Sequence, residues 1–597
     1  MKKEDWGVII ELLKNEFKND KARIICTVLL AILEVIRAYI GILLLGKITD
    51  LFALGYSANK FILYVVVAFV IKFACVLIYK MALKYYDTRL DYTKDIETKY
   101  MNEKAMSFDY EFLEDPSVSD LRYRSFGKSY YGITGWCLVT VQSLLRGIFS
   151  IIITTVIVGP MLTQGLLKSG SIASKVLSFL TIALIVILTM INYRTGIHYT
   201  STAKNEINKA ENLYNRKQYY MEKLSDTEFQ KDIRISNLQK VIAEDISNMF
   251  RALRESEYKN GSLYIMRERF GGCLMGLNCI AIYLFTGISA YMGFMSAGSV
   301  IIMASSILQF SDQMLKLGTA FGNMKSASLF ARDYLDFMKL DSNNKVSKNE
   351  NVFSVPAIEK IEFENVSFKY PNEDNYVLKN VSMDLDMTEK VAIVGKNGSG
   401  KTTLIKLLCG LYKDYEGRIK INGIDIRNFK KEDYWKKISC VFQDFNIFSF
   451  SVRENFGGSE DSGKICEALN KSGVNVEDID DKVGKNIYLD GKNFSGGEKQ
   501  KMAIARAIYK DADLVIMDEP TAALDPIAES EIFTGFDRLI SGRGGIYISH
   551  RLSSCKFCKR IIVLNEGKVV QQGTHHQLLL QEGDYKELWN SQRECYE

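Results

Sequence analysis

The chain has 597 residues, a length that predicts two or more domains with sizeable cores. Its 76 Lys and Arg residues nearly balance 71 Asp and Glu residues, so the net charge of +5 gives no indication of a nucleic-acid partner. Eleven cysteines, an odd number spread along the chain, indicate small buried side chains rather than a disulfide framework.

The first 330 residues contain six apolar stretches, each long enough to cross a bilayer, which needs about 20 residues. The stretches are 22–46, 61–83, 136–162, 173–193, 271–294 and 298–322. We therefore predict that residues 1–330 form an all-α membrane domain of six helices, multi-pass and in contact with the lipid bilayer.

The connections between these stretches alternate in length and charge. Those after the second and fourth stretches are long and rich in basic residues, whereas the others are short. Positive charge favours the cytoplasmic side, so we place both long connections and both chain termini in the cytoplasm. Ranges 80–104 and 191–221 are predicted to be helical and to extend the membrane helices as cytoplasmic arms.

Two segments interrupt the predicted arms. Phe108–Pro116 and Leu224–Arg234 combine turn or capping residues with aromatic side chains, which predicts a short helix across the tip of each arm. Ordinary surface loops remain the alternative for both segments.

Charged residues lie inside the apolar stretches, where they are costly unless they face a polar or water-filled interior. The candidates for contact with a cargo are Glu34, Arg37, Lys72, Arg146 and Asp312. Glu34 and Arg37 are one helical turn apart, so the alternative is that these two residues pair with each other.

The pattern changes after residue 330. Residues 331–355 predict a linker, because 340–351 is polar and rich in turn-forming residues. Short apolar runs then predict strands at 358–363, 366–370, 381–385 and 390–394. We therefore predict that residues 356–597 form a separate α/β domain.

Gly395–Thr402 fits the pattern G-x-x-x-x-G-K-[ST] of phosphate-binding loops. It follows an apolar run and precedes a predicted helix from Thr403, which is the context that the motif requires. The glycines let successive backbone N–H groups turn toward an anion, and the helix N-terminus adds partial positive charge. We expect Lys401 to reach the β- and γ-phosphates of ATP and the Thr402 hydroxyl to bind Mg²⁺.

Polar residues at the ends of further predicted strands suit nucleotide hydrolysis. Asp518 suits Mg²⁺ coordination, and Glu519 suits a general base that activates the attacking water. The Gln443 amide suits Mg²⁺ or that water, and His550 can hydrogen-bond the γ-phosphate. The ring of Tyr370, which precedes the phosphate loop, can stack on adenine.

Ser495–Glu498 is a second glycine-rich segment, and it precedes a basic helix predicted over 499–509. Its N–H groups and the Ser495 hydroxyl can bind an anion, but it has no Lys to neutralise a triphosphate. One domain does not need two such sites for one nucleotide. We therefore infer that this segment closes over ATP bound by another copy of the chain.

The ordered motifs resemble those of ATP-binding cassette (ABC) transporters, specifically half-size exporters with fused membrane and ATPase domains. The matching motifs are Tyr370 (A-loop), Gly395–Thr402 (Walker A), Gln443 (Q-loop), Ser495–Glu498 (signature), Leu514–Glu519 (Walker B), Ala522–Asp525 (D-loop) and His550 (H-loop). Phe112–Pro116 and Lys231–Arg234 resemble the family's coupling-helix regions through looser motifs. Phe494 and Glu498 depart from the usual Leu and Gln of the signature, and the Glu498 variant should not abolish hydrolysis.

The resemblance implies ATP and Mg²⁺ as cofactors and the following site residues. Catalytic roles are implied for Glu519, His550, Gln443 and Lys401. Magnesium contacts are implied for Thr402, Gln443 and Asp518. Nucleotide contacts are implied for Tyr370, Gly395, Asn397, Gly398, Ser399, Gly400, Lys401, Thr402, Thr403, Ser495, Gly496, Gly497 and Glu498.

The same resemblance implies an ATP-hydrolysing exporter in the cell membrane, expected to be a bacterial plasma membrane. It works as a homodimer or with a related half-transporter, and it moves cargo outward by alternating access. A peptide is the favoured cargo, and a multidrug or lipid exporter is the alternative. A nucleotide-gated channel on the same scaffold is a further alternative, whereas a soluble cassette ATPase would lack the six apolar stretches.

Overall fold

The computed structural model of the chain describes residues 3–594 except 126–130, 169–171, 210, 226, 293–294, 341–352, 372, 486, 521–543, 550 and 557. Its contacts define two units. The helical unit comprises Met1–Ser107 and Ser119–Leu340, and the ATPase unit comprises Phe108–Val118 and Asp341–Glu597. The last long helix ends at Lys339, so it occupies the start of the predicted linker 331–355.

The described part of the chain before residue 341 is helical. Its helices are α1 (Lys3–Asn19), α2 (Lys21–Ala53), α3 (Ala58–Asp91), α4 (Thr93–Met106), α5 (Tyr110–Leu113), α6 (Pro116–Ser125), α7 (Gly132–Lys168), α8 (Ile172–Lys209), α9 (Glu211–Ser225), α10 (Thr227–Ile235), α11 (Gln239–Tyr291) and α12 (Ala297–Lys339).

Among the described residues, four helical segments are long and apolar enough to cross a membrane. They are Lys21–Ala53, Ala58–Met106, Gly132–Met161 and Gln239–Tyr291. These segments contain the first and second predicted spans completely, the third up to residue 161 and the fifth up to residue 291. The fourth and sixth predicted spans fall within α8 and α12, and their crossing of a bilayer stays a prediction.

The predicted arms are helical. Range 80–104 falls in α3 and α4, which meet at Tyr92, and the described part of 191–221 falls in α8 and α9. With 53 residues, α11 is about 80 Å long at 1.5 Å per residue, far more than the about 30 Å of a hydrocarbon core. Such helices continue well beyond any bilayer that they cross.

Glycines allow the long helices of the helical unit to approach closely. A Cβ atom on Gly318 of α12 would lie 2.3 Å from the carbonyl oxygen of Tyr193 in α8. One on Gly46 of α2 would lie 2.3 Å from a side-chain carbon of Ile302 in α12. Small residues at such contacts are typical of helices that pack within membranes.

Two charged side chains inside the helical unit, Glu34 and Arg37, do not pair with each other. Arg146 of α7 donates to both carboxylate oxygens of Glu34, at 2.7 and 2.9 Å. The Arg37 guanidinium instead lies 4.4 Å from the ring centroid of Tyr79. The alternative that Glu34 pairs with Arg37 is therefore wrong. Helix α7 packs against α2, and this packing brings Arg146 within hydrogen-bond distance of the Glu34 carboxylate.

The described residues of the ATPase unit form two sheets and several helices. The strands are β1 (Lys360–Phe368), β2 (Leu378–Asp386), β3 (Lys390–Val394), β4 (Glu416–Ile421), β5 (Ile424–Asp425), β6 (Ile438–Val441), β7 (Leu514–Asp518), β8 (Gly544–Ile548), β9 (Arg560–Asn565) and β10 (Lys568–Gly573). The described helices are α13 (Lys401–Leu408), α14 (Lys431–Lys437), α15 (Ser462–Ser472), α16 (Gly496–Lys510), α17 (Leu552–Cys555), α18 (His575–Leu580) and α19 (Asp584–Glu594).

The larger sheet has the strand order β10-β9-β3-β8-β7-β6, and the smaller has the order β2-β1-β4-β5. The five neighbouring strands β9, β3, β8, β7 and β6 run parallel to one another. Their carboxyl ends therefore lie at the same edge of the sheet. Val391–Val394 of β3 is fully buried, which explains its unbroken apolar run. Ligands of such sheets bind at the carboxyl edge.

Strand β1 corrects one prediction. The runs 358–363 and 366–370 were predicted as two strands, but Lys360–Phe368 is continuous. Its pairing with β2 is irregular between Phe363 and Val366, and Asn365 has a φ of 50°. A bulge interrupts the alternation of side chains without ending the strand, so the pattern looked like two strands.

Candidate nucleotide-binding site

The phosphate loop joins β3 to α13, as predicted. Two of its glycines have backbone geometry that excludes a side chain. A Cβ atom on Gly395, where φ is 155°, would lie 2.1 Å from the carbonyl oxygen of Leu564. One on Gly400, where φ is 102°, would lie 2.7 Å from a methyl carbon of Leu378. The glycines therefore let the loop turn tightly against its neighbours.

Lys401 is the first residue of α13, and it is buried. Its ammonium donates to the carbonyl oxygens of Gly395, at 2.9 Å, and Lys396, at 3.0 Å. Burial lowers the pKa of Lys401, and the nearby carboxylates of Glu519 and Asp518 partly offset that effect. The structure thus brings together the predicted lysine and both predicted carboxylates.

Asp518 ends β7 and is fully buried. Neither carboxylate oxygen has a well-formed hydrogen bond to a described residue, and the same holds for the buried Ser399 hydroxyl. Burial raises the pKa of Asp518 to about 6, although the Thr402 hydroxyl opposes the shift. A buried carboxylate that lacks donors and adjoins a hydroxyl suits a divalent cation, so these residues fit Mg²⁺.

Glu519 leaves the strand in a left-handed conformation, with a φ of 50°. Its N–H donates to the carbonyl oxygen of Ile548 at 3.0 Å, which holds the turn against the end of β8. His550 comes shortly after that strand but lies outside the described residues, as does Ala522–Asp525. The roles of Glu519 and His550 stay predictions.

Gln443 is exposed and follows β6, which ends at Val441. Strand β6 pairs in parallel with β7, with Val441 opposite Met517. This pairing places Gln443 at the carboxyl edge of the sheet that also holds Asp518. No local feature of the sequence indicated which strands are neighbours.

Tyr370 contacts the helix that follows the phosphate loop. Its hydroxyl lies 2.9 Å from the hydroxyl of Thr403. Its ring packs edge-on against Phe368, with centroids 5.2 Å apart, and against Tyr412, at 5.6 Å. The predicted adenine-stacking residue is therefore held beside α13, while stacking on adenine stays a prediction.

The signature segment caps α16, which begins at Gly496, earlier than the predicted 499. The Ser495 hydroxyl accepts from the Glu498 N–H, and the Glu498 carboxylate accepts from the Ser495 N–H at 2.7 Å. Glu498 thus forms a capping box, a role that Gln can also fill. Among the described residues of one chain, no hydrogen bond or ion pair joins Ser495–Glu498 to the phosphate loop.

One contact between motifs was not predicted from the sequence. Gln500, buried in α16, donates to the carbonyl oxygen of Pro520 in the turn after Glu519. The helix that begins at the signature is therefore tied to the turn that carries the predicted general base. Gln500 carries no local pattern that would have indicated this contact.

The segment Phe108–Val118 belongs to the ATPase unit, although most of the chain on both sides of it is in the helical unit. This segment contains the short helix α5, and the second predicted interruption, Leu224–Arg234, contains most of helix α10. The prediction of a short helix in each interruption is therefore confirmed. Asp109 accepts from Lys431 at 2.8 Å, and its carboxylate lies 3.5 Å from the Lys413 ammonium. Burial opposes ionisation, but the two lysines outweigh it and lower the pKa of Asp109.

Five side chains, which we name the Glu114 cluster, connect this segment with α13 and with Tyr370. They are Tyr110, Glu114, Tyr370, Lys406 and Tyr412. Glu114 accepts from Tyr110 at 2.6 Å and from Tyr412, and it lies 3.5 Å from Lys406. The Lys406 ammonium is 5.4 to 6.0 Å from the three tyrosine rings. Burial would raise the pKa of Glu114, but these donors lower it.

Comparison with known proteins agrees with this geometry. Residues 378–522 match the family model for ABC transporters. The chain is 36% identical over 326 residues to the subtilin transport ATP-binding protein SpaT of Bacillus subtilis, covering 52% of each protein. It is 33% identical over 311 residues to an ATP-dependent lipid A-core flippase of Bordetella avium, covering 51% of this chain and 52% of the flippase. The chain thus spans about half the length of these curated relatives.

A solved structure extends the comparison to almost the whole fold. The chain is similar to a bacterial Atm1-family ABC exporter with ATP bound, with a TM-score of 0.74 and 20% identity. The match covers 96% of this chain and 99% of that one. Residues 378–522 thus match the ABC transporter family, and the chain as a whole has the fold of this ABC exporter.

Proposed function

We propose that the chain is one half of an ATP-driven exporter that moves cargo outward across a bacterial plasma membrane. The supporting observation is the group formed by buried Lys401 and Asp518 with Glu519, in a chain that also has membrane-length helices. A soluble ATPase has no need of such helices, because each would expose a long apolar surface to water.

In this proposal each chain binds ATP between its own phosphate loop and the signature segment of a second chain. Lys401 and the N–H groups of the loop contact the phosphates, and Tyr370 contacts adenine. Ser495, Gly496 and Gly497 of the partner subunit complete the pocket. A second copy is the simplest partner, because this chain carries both halves of the pocket and a pair of copies makes two equivalent sites.

Hydrolysis in this proposal depends on groups at the carboxyl edge of the sheet. Thr402, Gln443 and Asp518 hold Mg²⁺, which when bound neutralises charge on the phosphates. Glu519 accepts a proton from the attacking water, and His550 and Gln443 orient the reacting groups. Since Gln500 ties α16 to the Pro520 turn, movement of the signature helix also moves the turn that carries Glu519.

The Glu114 cluster transmits the state of this site to the membrane helices. Its Lys406 is on the helix that starts at the phosphate loop, and its Tyr370 is at the predicted adenine position. Its Tyr110 and Glu114 belong to Phe108–Val118, which is covalently continuous with α4 and α6. A shift of α13 on ATP binding therefore pulls on both helical arms at this segment.

A peptide is the favoured cargo, because the chain resembles a protein named for the transport of subtilin, a peptide. Lipid is the second candidate, because the chain resembles a lipid A-core flippase at nearly the same identity. Inverted membrane vesicles separate them. We expect ATP-dependent uptake of a fluorescent amphipathic peptide, and no ATP-dependent loss of a labelled phospholipid from the outer leaflet.

Vesicles that contain Glu519→Gln are the matched control, since they retain the protein but lack the predicted base. Uptake that persists in these vesicles would contradict coupling to hydrolysis. An ion conductance in planar bilayers that needs ATP binding but not Glu519 would favour the channel alternative. Absence of the protein from the membrane fraction would contradict the proposal altogether.

A further inference from the structure

A cleft of about 330 Å³ lies in the helical unit between α2 and α3, with Ser305 of α12 also in its lining. Arg37 from α2 and Lys72 from α3 both line it. A Cβ atom built on Gly41, one turn along α2 from Arg37, would lie 3.8 Å from the Lys72 ammonium. The Lys72 side chain therefore crosses from α3 to α2, and the two cationic side chains share one cleft.

The other charged residues predicted to contact cargo are engaged in ion pairs. The Arg146 guanidinium lies 2.7 Å from the Glu34 carboxylate and also donates to the Ser143 hydroxyl at 2.8 Å. Within α12, the Lys316 ammonium lies 2.7 Å from the Asp312 carboxylate. Each pair is neutral as a whole, so these residues leave no net charge for a cargo group to balance.

The two cations of the cleft have no such partner. Among the described residues, neither Arg37 nor Lys72 forms an ion pair with a carboxylate. The Arg37 guanidinium lies over the Tyr79 ring, 4.4 Å from its centroid, and an aromatic ring does not cancel a full charge. The cleft therefore carries positive charge that the described part of the chain does not balance.

Both cations lie deep in the membrane that the sequence predicts. Lys72 is the central residue of the predicted span 61–83, and Arg37 is within one helical turn of the centre of 22–46. About 15 Å of hydrocarbon therefore separates them from either surface of the core. Charge at this depth is costly unless it faces the interior of the bundle or a water-filled path, and there it marks the route of a substrate.

The exposed apolar surface of α2 lies on a different face from the cleft. Leu29, Ile36 and Leu43 are exposed and recur every seven residues, so they form one stripe along the helix. At 3.6 residues per turn, Arg37 and Gly41 lie about a third and about a half of a turn around the helix from that stripe. The stripe suits contact with lipid, which leaves the cleft for the cargo path that the proposed function requires.

We propose that Arg37 and Lys72 form a cargo subsite that binds a carboxylate of an acidic peptide on its way across the membrane. The planar Arg37 guanidinium suits both oxygens of a carboxylate, and the Lys72 ammonium adds a point charge from the neighbouring helix. At about 330 Å³ the cleft is small for a binding pocket, so it holds one part of a peptide rather than the whole of it. The proposal rests on the proposed function, and it names the charge of the cargo that this function leaves open.

The test measures the binding of matched peptides to the purified full-length protein in the absence of nucleotide. Two fluorescent amphipathic peptides, both amidated at the C-terminus, differ only in carrying either two Glu or two Gln residues. Fluorescence anisotropy in micelles of a neutral detergent gives both dissociation constants. We expect the Glu peptide to bind about tenfold more tightly, since an ion pair away from bulk water is little screened. Arg37→Gln with Lys72→Gln should reduce this ratio to about one and leave binding of the Gln peptide unchanged.

Matched variants separate the effect of charge from an effect on folding. Lys80→Gln removes an exposed cation of α3 that does not line the cleft, and it should leave the ratio unchanged. Arg37→Lys with Lys72→Arg keeps both charges and should keep the preference for the Glu peptide. Each variant must elute as the wild type does in gel filtration. If the double Gln variant aggregates, Arg37→Gln and Lys72→Gln are tested singly, and each should lower the ratio about threefold.

Equal affinity of the wild type for the two peptides would overturn the proposal, and so would an unchanged ratio in the Gln variants. Displacement of the Glu peptide by an equal concentration of phosphatidylglycerol would overturn the assignment to a peptide. ATP-dependent uptake into inverted vesicles tests the proposed function separately. Uptake of both peptides at the same rate would refute this inference alone, whereas no ATP-dependent uptake of either peptide would refute the proposed export of peptides.

Discussion

The carboxylate of Glu114 accepts a hydrogen bond from the hydroxyl of Tyr412, although 298 residues separate the two along the chain. Tyr412 also packs against Tyr370, the predicted adenine contact. One aromatic ring therefore lies between the nucleotide position and a segment that is continuous with the helical arms.

Glu114→Ala should uncouple ATP hydrolysis from transport. It removes an acceptor for two tyrosine hydroxyls and a partner of Lys406, without touching the predicted phosphate contacts. We expect uptake per ATP hydrolysed to fall about tenfold, since hydrogen bonds to charged groups are worth about 1.5–3 kcal/mol. Glu103→Ala, which removes an exposed carboxylate of α4, is the control. Equal losses of hydrolysis and uptake would mean that Glu114 only supports folding.

Lys401→Ala and Ser495→Ala should complement each other if each site uses two chains. Each variant alone should lose ATP turnover, because both of its sites lack either the ammonium or the signature hydroxyl. A mixed dimer has one site with both defects and one intact site. We expect co-expressed, doubly tagged mixed dimers to regain turnover, measured as phosphate release. Pure single variants that match the mixed dimer would refute the shared site.

Glu519→Gln should lower ATP hydrolysis at least a hundredfold and leave ATP binding intact, because it removes the predicted base while keeping the shape of the side chain. With ATP, the variant should accumulate as a closed dimer that elutes early in gel filtration. Glu566→Gln is a matched control, because Glu566 also has a positive φ, of 46°. Normal turnover in Glu519→Gln would exclude the assigned role.

Gly395→Ala should be more damaging than Gly398→Ala. Both glycines have a positive φ, so both substitutions carry backbone strain of about 1 kcal/mol or more. A Cβ atom on Gly395 would also collide with the Leu564 carbonyl oxygen, whereas nothing lies within 4 Å of one on Gly398. We expect a lower thermal unfolding midpoint and weaker binding of a fluorescent ATP analogue for Gly395→Ala. Indistinguishable variants would contradict the geometry of the loop.

Acid should release Phe108–Val118 from the rest of the ATPase unit. The lysines at Asp109 lower its pKa, so the contact stabilises the folded protein at neutral pH. The pKa of Asp109 is about 3.9 in the unfolded chain and lower in the folded protein. The stabilisation is therefore fully present above about pH 3.9, and it is lost as the pH falls through the pKa of Asp109 in the folded protein. Pepsin cleavage within the segment should therefore rise steeply below about pH 4.

Asp109→Asn is the control for this titration. It cannot ionise and loses the ion pair with Lys431 at any pH, so its cleavage should be high already at pH 5. The difference between the two proteins should vanish at the lowest pH, where the wild-type carboxylate is protonated. A constant difference across the range would show that ionisation of Asp109 does not control the contact.

Local sequence patterns predicted the bounds of some secondary-structure elements more accurately than those of others. The strand Lys390–Val394 was predicted with its observed bounds, because a strand buried on both faces has an unbroken apolar run. The predicted start of α16 was less accurate. The capping box of Ser495 and Glu498 starts the helix at Gly496, within a glycine-rich pattern that is also typical of loops. The bulge at Asn365 divided one strand into two predicted ones.

The sequence by itself determined the order of the membrane-length helices, the phosphate loop and the motifs that follow it. These depend on neighbours in the chain, through periodicity, glycine geometry and capping. Only the tertiary structure decided that Glu34 meets Arg146, that Tyr412 meets Glu114, and that Arg37 and Lys72 line one cleft. Such contacts join residues far apart in the chain, and they follow from how whole helices and strands pack, which no local pattern encodes.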